Sequence, residues 1–306
     1  MNGNVDLSKN YLLITPCKNE GDHLPDLIES IASQIIRPII WIIIDDGSDD
    51  NTPQITKEAA TKYNWIQILR LDENRKRDLG LHLANIMSKG FNYAIEYCNK
   101  NGLEYKYLGN VDGDLTIEHT FFLNLINEFE KDPALGIASG GINFTINNEV
   151  VHVKGLSVDE PSGGHMLIRR KCFEDCAGIP QSYAYDAVIK AKARLGGWTN
   201  KRFEDNLAIE ARDVNSAEGY FKGFLHVGKS HYYLNFHPIH VFASGVLKIF
   251  RKPYYGGIIY ISSYLFNFLK REGQIEDDMI KDYYWNKWKR IYKDRLTSRV
   301  TYEVVK

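Results

Sequence analysis

The sequence predicts an α/β protein, a mostly parallel sheet flanked by helices, with a C-terminal helical extension. Three observations predict it. Short apolar runs alternate with helical patterns through the first half of the chain. Pro38 to Ile44 is apolar without a break, as a strand buried on both faces should be. Beyond about Ser216 the composition turns aromatic and basic.

Taken in order, Tyr11 to Ile14 reads as a strand, Leu24 to Gln34 as an amphipathic helix and Pro38 to Ile44 as the second strand. Thr52 to Tyr63 is a helix, with Thr52 suited to the N-cap and Pro53 to the first turn. Trp65 to Leu71 is a strand, and a long helix runs from about Leu79 to Asn99. The apolar run Tyr105 to Leu108 is the fourth strand. A helix from about Ile117 to Lys131 then stops at Asp132-Pro133. This β-α-β-α-β-α-β-α order implies parallel strands with helical crossovers. From about Gly136 the pattern changes to shorter strands, Ile137 to Phe144, Glu149 to Val153 and His165 to Arg169. Tyr185 to Leu195 is a helix ended by Gly196-Gly197.

The 38 basic and 39 acidic residues leave a net charge of −1, so no overall field draws the chain to nucleic acid. Four scattered cysteines favour a reducing compartment, and Cys172-x-x-x-Cys176 has no second Cys or His pair to complete a zinc site. Met1 to Asp6 lacks the basic and apolar regions of a signal peptide, and no apolar run is long enough to span a bilayer. A cytoplasmic protein, at the inner face of the membrane, is expected.

The chemistry sits at two strand ends. Asn110-Val111-Asp112-Gly113-Asp114 puts two carboxylates one residue apart, a pattern suited to a hard divalent cation that completes its shell with substrate phosphates. Asp45-Asp46-Gly47-Ser48-Asp49-Asp50 ends another strand. Both fall at the carboxyl edge of the sheet, where ligands of open α/β sheets bind. Each alone is also ordinary turn chemistry. Arg75-Lys76-Arg77 follows a third strand end and suits either a diphosphate contact or a solvated charge run.

Four segments together resemble the family-2 inverting glycosyltransferases, which have the GT-A fold. They are Pro16-Cys17-Lys18-Asn19-Glu20, Asp45 to Thr52, Asp112-Gly113-Asp114 and Gly163-Gly164-His165-Met166-Leu167-Ile168-Arg169. Their order and spacing match over about 1–200. The resemblance implies a nucleotide-sugar donor, a UDP- or GDP-sugar, with Pro16 and Glu20 at its base or ribose and Asp46 accepting from the base. Asp114, assisted by Asp112, would hold Mg²⁺ or Mn²⁺, with Lys76 near the diphosphate and Gly164 allowing close backbone approach to the donor. The family's catalytic base lies at a helix start after the acceptor loop, commonly in a Glu-Asp pair. Here Tyr185 stands in place of that Glu, leaving Asp186 as the candidate base at a helix end that favours negative charge. Arg212 is a weaker phosphate candidate.

These residues imply a catalytic domain over 1–215, with a nucleotide-sugar half 1–115 and an acceptor half 116–215, and an extension over 216–306. The acceptor is expected to be a glycan or lipid-linked glycan. The extension, with Tyr283, Tyr284, Trp285, Trp288 and Tyr292 among cations, suits peripheral membrane contact. Helices packed on the catalytic domain are the preferred reading. Blander readings make Asp186 an N-cap, Glu20 a solvated loop residue and His165 structural. Two rival functions are a sugar-phosphate nucleotidyltransferase, which lacks support because Pro16 to Glu20 replaces its Gly-rich loop, and a non-catalytic nucleotide-sugar-binding scaffold. No Gly-x-Gly-x-x-Gly follows the first strand, which argues against a dehydrogenase.

Overall fold

The computed structural model describes residues 9–71, 80–146, 149–154, 156–211, 219–250, 252–295 and 301–304. Two compact units divide the chain: residues 1–211 with 301–306, and residues 212–300.

The first unit is built on β1 (Tyr11–Cys17), which pairs in parallel with β2 (Ile40–Asp45) on one side and β4 (Tyr107–Asn110) on the other. β3 (Ile66–Arg70) continues the parallel half beyond β2. The crossover helices are α1 (Leu24–Ala32), α2 (Thr52–Lys62) and α3 (Leu81–Asn101). Every residue of β2 is buried, which is why its sequence shows no polar alternation. Leu13, Trp41 and Ile43 pack under α1 and α2, whereas Leu12, Ile14, Ile42 and Ile44 pack under α3. The sheet is thus the middle of three layers. Trp41 reaches Thr15 Oγ1 with its indole N–H at 2.9 Å, which satisfies both polar groups inside the core.

Past β4 the pairing becomes mixed. β5 (Leu115–Ile117) is three residues long, and α4 (Phe121–Lys131) follows it, so the helix expected from Ile117 starts later than its apolar pattern suggests. β6 (Leu135–Ile146), β7 (Glu149–Lys154) and β8 (Met166–Arg169) come next, with β8 antiparallel to both β4 and β6. α5 (Arg170–Asp175) and α6 (Tyr185–Leu195) lead into β9 (Thr199–Glu210), which pairs with β6 and β5. β10 (Thr301–Val304) adds to β7. The order is β10-β7-β6-β8-β4-β1-β2-β3 among the described residues. Parallel pairing, as expected, joins β4, β1, β2 and β3 and also β6 to β9, while the remaining pairings are antiparallel. Cys17, Cys98, Cys172 and Cys176 are all buried free thiols.

The second unit holds α7 (Tyr220–Tyr233), α8 (Pro238–Ile249), α9 (Gly256–Lys270) and α10 (Asp278–Arg295). No described helix is long and apolar enough to cross a membrane.

His165 lies buried at the β8 entry, its Nε2 3.3 Å from the Gly140 carbonyl, and its place is structural. Burial pushes its pKa down to about 4, against a weaker upward pull from the Gly140 backbone. Below the unfolded value near 6.5 the unfolded chain takes up a proton that the folded chain refuses, so stability falls with pH until about 4. The expected contribution is about 1.4 kcal/mol per pH unit, up to roughly 3 kcal/mol. Urea unfolding of wild type and His165→Gln between pH 7 and 5 checks it: the variant's stability should fall less steeply, and equal slopes would refute the assignment.

Candidate active site

Parallel pairing brings three strand ends to one edge, with Cys17 beside Asp45 and Ile14 beside Asn110. The chain leaves β1 towards β2 and β3 on one side and returns through β4 on the other, so this edge is a topological switch point. Pro16 sits in β1 opposite Ile44. Val111 N–H bonds the Ile14 carbonyl, so alternate residues of β1 turn their backbone polar groups towards β4. β4 ends at Asn110, opposite Ile14, so the N–H that Pro16 lacks falls beyond that ladder.

The acidic run after β2 is divided between support and site. Asp45 is tied to Arg70 Nη1 at 3.0 Å and to the Ser48 N–H at 2.9 Å. Asp50 accepts from the Gly21 and Thr52 N–H groups, both at 2.9 Å. Burial raises the Asp50 carboxyl, but hydrogen bonds from Thr52 and Gly21 outweigh it and leave the pKa lowered. These two carboxylates fix the loops. Thr52, expected as the N-cap, is the first residue of α2, and Asn51 precedes it as the cap. The Thr52 hydroxyl instead accepts the Glu20 N–H at 3.0 Å, joining the first motif to the second.

Asp46 is held instead by side chains from two other segments. It is 4% exposed, and its two oxygens lie 3.0 and 3.1 Å from His82 Nε2 at the start of α3. Lys18 Nζ stands 4.0 Å from Asp46 Oδ2 and donates to the Asp46 carbonyl at 2.5 Å. Glu20 is buried at 2% exposure, so it is no solvated loop residue. Burial, then Asp45, Glu20, Asp50 and Asp46, push the Cys17 thiol well above its usual range, which places four carboxylates around that neutral group.

The Asp-x-Asp segment meets this cluster through Gly113, where an added Cβ would stand 3.1 Å from Glu20 Cγ. On its other side lies the Gly163-Gly164 turn. Asp112 N–H donates to the Gly164 carbonyl at 2.8 Å, and the Asn110 amide donates to the Gly163 carbonyl at 2.9 Å. A Cβ on Gly164 would sit 2.8 Å from Asp112 Oδ2, and one on Gly163 would sit 2.7 Å from Asp186 Oδ2. Two carboxylates from distant segments therefore converge on one turn, so close that a side chain at either glycine would collide with them. Asp114 stays at the same edge, its carbonyl accepting the Ala211 N–H at 2.9 Å.

Asp186 lies in the first turn of α6, where Ala184 is the N-cap, so its carboxylate does not cap the helix. Its Oδ2 pairs with Lys190 Nζ at 3.0 Å, and Lys190 also donates to the Pro161 carbonyl at 3.1 Å. Tyr185 is buried. Burial first, then the Asp112 and Asp186 carboxylates, raise its hydroxyl well above the usual range and keep it neutral.

Pro16, Glu20, Asp46, Asp112, Asp114, Gly164 and Asp186 thus gather at one sheet edge. Lys76, Arg75, Arg77 and Arg212 lie outside the described residues. His82 and Lys190 went unread in the sequence. Lys190 carried a signal, the i,i+4 spacing from Asp186. Among the described residues no three His, Cys, Asp or Glu form a metal cage. The Asp112 and Asp114 pair fits Mg²⁺ or Mn²⁺ all the same, because such an ion needs only one or two carboxylates beside substrate phosphates. Gly164 places no side chain over Asp112, whose Oδ2 a Cβ there would meet at 2.8 Å.

The model of Glycosyl transferase family 2 matches residues 12–184, which include the segments around Pro16 to Glu20, Asp45 to Thr52, Asp112 to Asp114 and Gly163 to Arg169 and end just before Asp186. A poly-beta-1,6-N-acetyl-D-glucosamine synthase of Staphylococcus aureus is 27% identical over 211 residues, 67% of this chain and 46% of the relative. The chain therefore spans less than half the length of that relative. Among solved structures, a mannosyltransferase from Pyrobaculum calidifontis, in complex with GDP-Man and Mn²⁺, is 16% identical with a TM-score of 0.53 over 83% of this chain and 69% of its own. S. aureus TarS in complex with UDP is 14% identical with a TM-score of 0.51 over 88% and 93%. These likenesses show the GT-A fold, and the chain belongs to glycosyl transferase family 2.

Proposed function

We propose that this glycosyltransferase is metal-dependent and inverting, moving a sugar from a UDP- or GDP-sugar to a hydroxyl of a glycan or lipid-linked glycan. The observation that carries the reading is the convergence of Asp112 and Asp186 on the two sides of the Gly163-Gly164 turn. It sets a cation-type carboxylate next to a base-type carboxylate. The bound nucleotides of the two structural neighbours support the donor class, and the name of the staphylococcal relative supports a glycan acceptor. Residues 1–215 form the catalytic domain in this reading, and the protein works at the cytoplasmic face of a membrane that its C-terminal region touches.

Asp46 accepts a hydrogen bond from the donor's base, with Pro16 and Glu20 at base or ribose and Lys76 at the diphosphate. Asp114 and Asp112 would hold Mg²⁺ or Mn²⁺, which would supply Lewis-acid neutralisation of the diphosphate's charge. The Gly163-Gly164 backbone lets the sugar approach Asp112 without a side chain in the way. Asp186 takes the proton of the acceptor hydroxyl as its oxygen bonds to the anomeric carbon. The bond from that carbon to the diphosphate breaks on the opposite face, and its electron pair leaves with the nucleoside diphosphate. Lys190, anchored at Pro161, holds the Asp186 carboxylate in place.

Asp186→Asn removes the base but keeps the shape. Sugar transfer should fall about 10²–10⁴-fold while nucleoside diphosphate binding by calorimetry is unchanged. Retained turnover would remove Asp186 from the chemistry. His82 acts through Asp46, as a positioning residue. His82→Ala should raise KM for the donor about tenfold and leave kcat within a few-fold. A loss confined to kcat would contradict that role.

A further inference from the structure

Two helices of the second unit, α8 and α9, turn many of their large apolar side chains outward. α8 buries His240, Val241, Ser244 and Gly245, while Ile239, Phe242, Val246 and Leu247 are exposed, with Phe250 at its C-cap. Positions 239, 242, 246 and 250 follow the i, i+3, i+7, i+11 spacing of one helix face. α9 repeats the arrangement. It buries Gly256, Gly257, Tyr260, Ser263, Tyr264 and Asn267, and exposes Ile258, Phe266, Phe268 and Leu269. Phe250 and Leu269 are 77% and 79% exposed.

Glycine packing fixes these faces. A Cβ on Gly257 would strike the Gly245 carbonyl, and one on Gly228 of α7 would lie 2.5 Å from the Tyr260 carbonyl and 2.7 Å from Ser263 Cβ. The backbones approach too closely for the helices to rotate and bury their large side chains. Helices that meet through small and polar residues while showing apolar ones outward are built for a lipid surrounding, where close backbone approach replaces hydrophobic drive.

The charge has one sign. Residues 219–271 carry Lys222, Lys229, Lys248, Arg251, Lys252, Lys270 and Arg271 and no Asp or Glu, in a chain whose net charge is −1. Lys252, Lys270 and Arg271 are exposed at the ends of α8 and α9, next to the apolar face. A protein partner buried on such a face would meet cations at its rim, but an anionic bilayer satisfies both halves at once: acyl chains take the rings and headgroups take the cations.

We propose that the α8–α9 face inserts into one leaflet of an anionic membrane as a monotopic element, with Ile239, Phe242, Val246, Phe250 and Leu269 among the acyl chains. At 12 and 15 residues, α8 and α9 are shorter than the ~20 residues a span requires, which suits an element lying in the leaflet. This insertion rests on, and deepens, the membrane contact proposed above. It is independent of donor chemistry.

The test is flotation of the full chain with phosphatidylcholine vesicles with and without phosphatidylglycerol, comparing wild type, Asp186→Asn and Phe250→Glu/Leu269→Glu. Both altered side chains of the double variant are exposed, and circular dichroism and thermal unfolding verify its fold. Wild type and Asp186→Asn should float equally with anionic vesicles, at least about tenfold more than with neutral ones. The double variant should lose about tenfold or more. Bound wild type should stay on the vesicles in about 0.5 M salt, where charge attraction alone is screened away. Complete release by salt would overturn insertion, as would a double variant that floats like wild type. Self-association in buffer without flotation would assign the face to a second copy and overturn the proposal. Vesicle binding needs no donor, so failure of the transferase reading would leave these results unchanged.

Discussion

The candidate site depends on one set of hydrogen bonds, those that clamp the end of β4 to the Gly163-Gly164 turn. Asp112 N–H and the Asn110 amide hold the two glycine carbonyls. That clamp joins the parallel half, which carries Glu20, Asp46 and Asp112, to the mixed half, which carries Asp186. Replace either glycine and a Cβ enters the space beside a carboxylate. The turn is therefore both the joint between the halves and the floor of the site. β8, antiparallel to β4, leads directly out of this turn and fixes its register.

The parallel half was legible because its signals are local and redundant. An unbroken apolar strand, glycine and proline punctuation and two acidic strand ends all point to the same βα order, and β2 and α2 lie where the sequence puts them. β9 was missed. Thr199 to Glu210 is rich in polar residues, and its buried Arg202 donates to the Glu160 carbonyl and the Glu204 carboxylate, the former a partner that only tertiary structure supplies. β5 was absorbed into a helix since three residues cannot show a period. In the site, a run of four aspartates gives no indication of which one faces the ligand. Arg70 and the Gly21 N–H narrow the choice by claiming Asp45 and Asp50. His82 had no signal at all, as a lone histidine at a helix start.

The second unit shows the opposite limit. Its aromatic and basic composition was plain in the sequence, but which face of α8 turns outward was not, because both faces carry acceptable core residues. Gly245 and Gly257 settle it through backbone proximity, a property that hydropathy does not encode. The aromatic interior around His231, Tyr260 and Phe236 completes the unit. Burial pushes His231 well below its usual pKa, so that interior stays uncharged and its rings stack as neutral groups.

The central claim, that the β4 end and the Gly163-Gly164 turn form a cation-assisted nucleotide-sugar site, is tested most directly by thermal-shift binding of a panel of nucleoside diphosphates. It would be run with and without Mn²⁺, on wild type and Asp114→Ala. The account predicts that one nucleotide stabilises wild type only when Mn²⁺ is present and that the shift vanishes in the variant. A shift that is indifferent to Mn²⁺ and to Asp114, or no shift with any nucleotide, would contradict it.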